Sequence, residues 1–144
     1  MARYRTANAL QPEEAAYIAG LIDGEGTITL SRLHRDEMRR LVVSISNNEL
    51  SMLRYVQETA GVGHITRKRT YSVRHAPSFT YQVSSRQALD LLRQVVPYLR
   101  SYKSRRAHLA LERYLVLTPR NGKYRENVRQ ERSEFEARLL AMRP

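Results

Sequence analysis

Apolar positions recur along the chain with two different periods, and the changes from one period to the other mark out the elements. Leu10-Gln-Pro-Glu-Glu14 opens a helix, with Pro12 in the first turn and two acids at its positive end. That helix runs through Ile18, Leu21 and Ile22, while Ala15, Ala16, Ala19 and Gly20 leave one flank with almost no side chain. From Thr27 to Arg35 the pattern alternates, with Ile28 and Leu30 on one face and Thr29, Ser31 and Leu33 on the other. A turn at Arg35-Asp-Glu37 leads to a return strand, Arg39 to Ser46. It points Leu41, Val43 and Ile45 inward and Arg40, Val42, Ser44 and Ser46 outward. Asn47 or Asn48 then caps a second helix through Leu50, Leu53, Val56 and Ala60, which stops at Gly61.

The order now repeats. Gly61-Val-Gly-His-Ile-Thr66 echoes Gly24-Glu-Gly-Thr-Ile-Thr29, each following a helix and opening a strand. The second strand pair is expected over His64 to Tyr71 and Ser78 to Ser84, joined through Arg74, His75 and Pro77. Ile65, Phe79, Tyr81 and Val83 fall on one side, and Thr66, Lys68, Thr80 and Gln82 on the other. Two such hairpins make one four-stranded antiparallel sheet, apolar toward its helices and polar on its open face. Ser84-Ser-Arg-Gln87 has the form of a capping box before a third helix, through Ala88, Leu89, Leu91, Leu92 and Val95, which Pro97 ends. Ser104 to Leu117 returns to helical spacing, and Pro119 and Asn121-Gly122 break the chain. Arg125 to Leu140 is a charged helix whose thin stripe of Val128, Phe135 and Leu139 packs either on the domain or on a partner. The class is therefore α+β, in the order αββαββα with additional C-terminal helices. A single domain is expected over 1–144, with 1–10 as a basic, frayed lead-in and 120–144 as a helical tail.

Charge narrows the function. A net charge of +11 and a pI near 10.5 call for a polyanionic partner, either nucleic acid or an anionic membrane. No apolar run approaches the length of a bilayer span and Met1-Ala-Arg-Tyr-Arg5 is no signal peptide, so nucleic acid is favoured and no membrane partner is expected. With no cysteine there is neither a disulfide frame nor a thiolate metal site. That fits an intracellular protein, of bacterial, phage or archaeal cytoplasm or of an organelle. Three of the 25 basic residues are lysines, Lys68, Lys103 and Lys123, and the rest are arginines. Arginine suits bidentate phosphate and guanine contacts, and a GC-rich coding sequence gives the same bias.

The first helix carries the candidate chemistry. It ends in Asp23, Gly24, Glu25 and Gly26, which places two carboxylates at the negative end of the macrodipole, where something should neutralise them. The glycines are expected to let the chain leave the helix with positive φ and to admit a close neighbour. Ala16 and Gly20, four apart, allow a second copy of the helix to approach. The segment Ile18-Ala-Gly-Leu-Ile-Asp-Gly-Glu-Gly26 resembles the signature of the LAGLIDADG homing endonucleases, single-motif type. The likeness runs over roughly residues 12 to 117. It implies that the motif helices meet at a two-fold interface, here through Ala16, Ala19, Gly20 and Asp23. It also implies that Glu25, with the Gly24 carbonyl, binds divalent metal, Mg²⁺ or Mn²⁺. In this family a basic residue before the helix after the second repeat shields charge and orients water. By position that is Lys103, with Arg105 as the alternative, and the water-ordering strand residue corresponds to Ser44 or Ser46.

The polar sheet face is the natural surface for double-stranded DNA, because a strand pair fits the major groove and alternate side chains meet base edges. Eight strand residues cover about 26 Å, on the order of eight base pairs, so one chain reads a half-site. The candidates are Thr29, Ser31, Arg40, Ser44, Ser46, His64, Thr66, Lys68, Thr80 and Gln82, with Arg35, Arg67, Arg69 and Arg74 near hairpin ends or phosphates. The resemblance implies intron homing by a homodimer that makes a double-strand break with short 3′ overhangs at a pseudo-palindromic site. Two other functions remain open: a DNA-binding regulator without chemistry, which should lack the motif acid, and an RNA-binding intron maturase of the same fold.

Overall fold

A computed structural model describes residues 5–68, 77–119 and 123–144. Its elements are α1 (Pro12–Glu25), β1 (Gly26–Ser31), β2 (Arg40–Asn47), α2 (Leu50–Ala60), β3 (His64–Lys68), β4 (Ser78–Ser84), α3 (Ser85–Val95), α4 (Lys103–Arg113) and α5 (Glu126–Ala141), with a 3-10 turn at Val96–Tyr98. The four strands form one antiparallel sheet in the order β1-β2-β4-β3. The two hairpins of the repeat meet through their second strands, so β1 and β3 become the edges.

The alternation that distinguishes the faces holds along the strands. Ile28, Leu30, Leu41, Val43, Ile45, Tyr81 and Val83 are buried against Ala15, Ile18, Ala19 and Ile22 of α1 and Ala88, Leu89, Leu91 and Leu92 of α3 in one core. Val42, on the other face, is also buried, beyond what its outward parity implies. It lies between Thr29 and Ser84 in the register, in the middle of the sheet. The tail helix packs on the domain: Phe135 and Leu139 belong to the same core, and Val128 lies against it.

Several boundaries differ from the expected ones. β1 stops at Ser31 rather than Arg35, because the main chain turns where the Glu37 N–H donates to the His34 carbonyl. α4 ends at Arg113, and the segment to Leu117 continues as turns. Residues 5–10 are held rather than frayed. Gln94 accepts from the Leu10 N–H at 2.7 Å and donates to the Asn8 carbonyl, while Gln87 donates to the Arg5 carbonyl. Gln87 is thereby drawn away from a capping box; Ser84 makes no side-chain cap bond, and Ser85 takes φ 55°. Glu49 stands at the N-cap position of α2 without a side-chain cap bond, its own N–H held by the Asn47 side chain. β3 is described to Lys68, so the rest of the expected strand, with Arg69, and the part of the joining loop with Arg74 lie outside the described residues.

Candidate active site

α1 runs without a loop into β1, so its last residue, Glu25, stands where the helix layer meets the sheet. Gly26 is needed there for space and not for unusual dihedrals. Its φ is −113°, and a Cβ would come within 2.7 Å of the Ile22 Cα and 2.9 Å of the Ser44 carbonyl oxygen. The expectation of positive φ at Gly24 and Gly26 is thus corrected, since left-handed glycines among the described residues are Gly61 and Gly63.

The two helix-end acids have different surroundings. Asp23 accepts hydrogen bonds from the Arg100 N–H (2.8 Å), the Ser101 N–H (3.1 Å) and the Ser101 hydroxyl (2.6 Å). Partial burial pushes its pKa up, but the Ser101 hydroxyl, the two N–H groups and the charge of Lys103 outweigh that and hold the carboxyl below its ordinary range. Lys103 Nζ donates to the carbonyls of Ile22 (2.9 Å) and Asp23 (2.8 Å) in the last turn of α1, where the Ile22 carbonyl also accepts from the Gly26 N–H. The helix end is therefore neutralised twice, at the Asp23 carboxylate by the turn before α4 and at the carbonyls by Lys103, the first residue of α4. Glu25 is left over. It is exposed, and within the described residues it has no hydrogen-bond or ion-pair partner.

Beyond Glu25 the open sheet face is ordered in rows across the strands. Thr27, Ser44, Gln82 and His64 form the row next to Glu25. Ser46, Thr80 and Thr66 make the row to one side, where the Ser46 and Thr80 hydroxyls are hydrogen-bonded at 2.8 Å. Ser78 and Lys68 lie beyond them. In the other direction come Thr29, Val42 and Ser84, then Ser31 and Arg40, and finally the turn bearing the exposed Arg35. Of the sequence candidates, Arg67 does not share this face. It pairs with Phe79 and lines a groove with Ile65, Leu50 and Arg54 on the helix side of edge strand β3. Arg105 is drawn toward the tail, donating to the Arg143 carbonyl.

The small flank of α1 is split by burial. Ala15 and Ala19, the latter expected at the interface, lie in this chain's own core. Ala16, Tyr17, Gly20 and Gly24 are exposed at helical spacing, and a Cβ at Gly20 or Gly24 would meet nothing within 4 Å. Asp23, also expected at the interface, spends its carboxylate on the turn at Arg100 and Ser101.

A metal would find hard oxygen donors here. Among the described residues no three His, Asp or Glu side chains gather, so a single chain offers one carboxylate, Glu25, and the neighbouring Gly24 carbonyl, which Lys103 leaves alone. A sparse oxygen set of this kind fits Mg²⁺, which keeps waters and substrate phosphates as its other ligands.

The model of the LAGLIDADG endonuclease family matches residues 18–110. This chain belongs to the LAGLIDADG endonuclease family. The matched span begins inside α1 and ends inside α4, taking in both repeats and Lys103 but not α5. Comparison with curated protein sequences gives no significant match. Among solved structures, the homing endonuclease I-CvuI, in complex with its target in the presence of Ca, superposes with a TM-score of 0.74 at 18% identity, covering 92% of this chain and 83% of that one. The archaeal intron-encoded homing endonuclease I-Vdi141I, complexed with DNA, gives 0.69 at 20% identity, with 92% and 85% covered. The LAGLIDADG homing endonuclease I-GzeII, in complex with its DNA target, gives 0.68 at 18% identity; 94% of this chain corresponds to 45% of that one.

Within this LAGLIDADG chain, three residues of the site escape a reading of the sequence. Thr27 stands in the row nearest Glu25, which the start of the alternation could have revealed. Ser101 orients Asp23 and also accepts from the Lys103 N–H, a link between segments 78 residues apart that no local pattern announces. Arg106, buried in α4, donates to the Ile28 carbonyl of β1, against every expectation for a cation in a helix of core residues.

Proposed function

We propose that the protein is a site-specific endonuclease for double-stranded DNA that works as a homodimer with Mg²⁺ or Mn²⁺. The observation that carries this is the contrast at the end of α1: among the described residues every charge there is matched except the exposed carboxylate of Glu25, beside a polar sheet face. Hydrolysis of a phosphodiester needs charge neutralised on the phosphate, an activated water and help for the departing 3′ oxygen, chemistry that closely spaced divalent cations supply. One carboxylate per chain meets that need when two chains bring their Glu25 residues together. Gly20 and Gly24 support such an approach. Among the described residues nothing in the packing asks for glycine at either position, although glycine inside a helix costs about 1 kcal/mol against alanine.

The chain's own residues then divide the work. Asp23, Ser101 and Lys103 fix the helix end, Glu25 offers its carboxylate, and the rows from Thr27 to Arg40 and from Ser46 to Lys68 meet the bases of a half-site. Lys103 holds a positive charge at the Asp23 carbonyl, two residues before Glu25, and in this reading screens charge around the metal site. Cutting by this arrangement leaves short 3′ overhangs, as the resemblance implies. The test is selection of cleaved duplexes from a randomised library with Mg²⁺. A pseudo-palindromic consensus that disappears with Glu25→Gln is the expected result, and a library left uncut by the wild type overturns the reading.

A further inference from the structure

The turn between β1 and β2 lies at the end of the sheet farthest along β1 from Glu25. With Gly26 and Ser31 five residues apart, it begins about 17 Å away at the rise of a strand. Beyond the Ser31–Arg40 pair the ladder ends, and the main chain of Arg39 has no strand beside it. Two side chains of α5 take its place. The Arg39 N–H donates to Glu136 Oε2 at 3.3 Å, and the Arg39 carbonyl accepts from the guanidinium of Arg132. Both polar groups of one peptide residue are thus engaged by a helix 93 and 97 residues away.

The pair is built for this task. Arg132 is 1% exposed and lies over the rings of Tyr114 (4.8 Å) and Phe135 (5.6 Å). Its Nε donates to Glu136 at 3.1 Å, and it also bonds the Leu117 carbonyl and the Thr118 hydroxyl. Glu136 Oε1 reaches the Arg39 side chain at 3.6 Å. A burial this complete is costly for a charge unless every donor is used, and here Nε and both terminal nitrogens are bonded. A second arginine repeats the connection on β1 itself: Arg106 donates to the Ile28 carbonyl at 2.9 Å and to the Met142 and Leu140 carbonyls at the end of α5.

We infer that α5 is a strut for the β1–β2 hairpin, in which Arg132 and Glu136 set the direction of the turn from Arg32 to Arg39 and so act as positioning residues for recognition of the outer base pairs of each half-site. The inference rests on the DNA-cutting reading above. It adds that discrimination far from Glu25 is controlled by residues that touch no base. A structural role alone would weaken all positions together, whereas a strut for one turn weakens only the positions which that turn reaches.

The test compares wild type with R132L/E136L, which removes both charges at once and replaces them with apolar bulk, a change that folds tolerate better than loss of one partner. Selected duplexes carrying single base-pair changes across the half-site are bound by each protein. Expected is a loss of discrimination on the order of tenfold at the outermost positions with central positions unchanged, and faster amide exchange confined to 32–39 in the free protein. Glu136→Gln, which still accepts from the Arg39 N–H, should restore the wild-type profile where Glu136→Ala does not. That second pair decides the matter should R132L/E136L not fold. A uniform loss at all positions, or faster exchange with an unchanged profile, overturns the inference. If the wild type selects no duplex, the DNA reading fails and this inference with it, while the exchange rates still report whether α5 holds the turn.

Discussion

The two repeats share a topology and close the ends of their helices in different ways. α2 ends at Gly61 in the left-handed conformation, with its N–H on the Gln57 carbonyl. The carbonyls around that end are taken by neutral groups: Asn8 reaches Thr59 and Ala60, Gln57 reaches Gly63, and the Tyr81 hydroxyl reaches Val62 at 2.8 Å. Burial pushes the Tyr81 pKa up, so it stays a donor across the ordinary pH range. α1 ends instead in acids, closed by a lysine and by the turn at Arg100 and Ser101, with Glu25 unmatched among the described residues. A fold that builds the same unit twice can seal one copy with hydrogen bonds and leave a charge standing in the other, and it is to the unsealed copy that we assign the chemistry.

The comparison can be broken most severely at Glu25. Glu25→Gln should reduce cleavage on the order of 10³-fold, about 4 kcal/mol of barrier, with the melting temperature and duplex affinity kept, as read by cleavage rate, calorimetry and mobility shift. Asp23→Ala should act on stability, by about 2 kcal/mol, because it leaves the Arg100 and Ser101 N–H groups without an acceptor. Its effect depends on pH. The folded-state pKa of Asp23 lies below its unfolded value of about 3.9, so the contribution is whole above that value and is lost as pH falls through the folded one. Denaturant titrations should therefore show wild type and Asp23→Asn converging on acidification and differing fully at neutral pH.

Gly20→Leu probes the open flank. The fold has room for it, so monomer stability should hold, while self-association weakens by about 2 kcal/mol, on the order of 30-fold, in sedimentation equilibrium. The mildest change belongs to the sealed repeat: Tyr81→Phe should cost about 1 kcal/mol by loss of one buried hydrogen bond, with no effect on cleavage per folded molecule.

The order of helices and strands was legible in the sequence because alternation and helical spacing report which side of a strand or helix is buried, and β4 begins and ends where its pattern does. The motif at residues 18–26 was legible because Asp, Gly, Glu and Gly at a helix end make poor electrostatic sense without a function. What the sequence hides is set by partners distant along the chain. Ser101 under Asp23, Arg106 on Ile28 and Arg132 on Arg39 are polar residues in helices or loops whose meaning comes from a carboxylate or carbonyl 78 to 93 residues away. Burial of Ala19 beside exposure of Ala16 and Gly20 was equally hidden, since a run of small residues does not say which of them faces the core.

Pairing of two helix-end glutamates is the central claim, and the mass of the cutting-competent complex on a selected duplex tests it most directly. Two chains per duplex, with cleavage rising as the second chain binds, is the predicted result; full double-strand cleavage by one chain per duplex would contradict it.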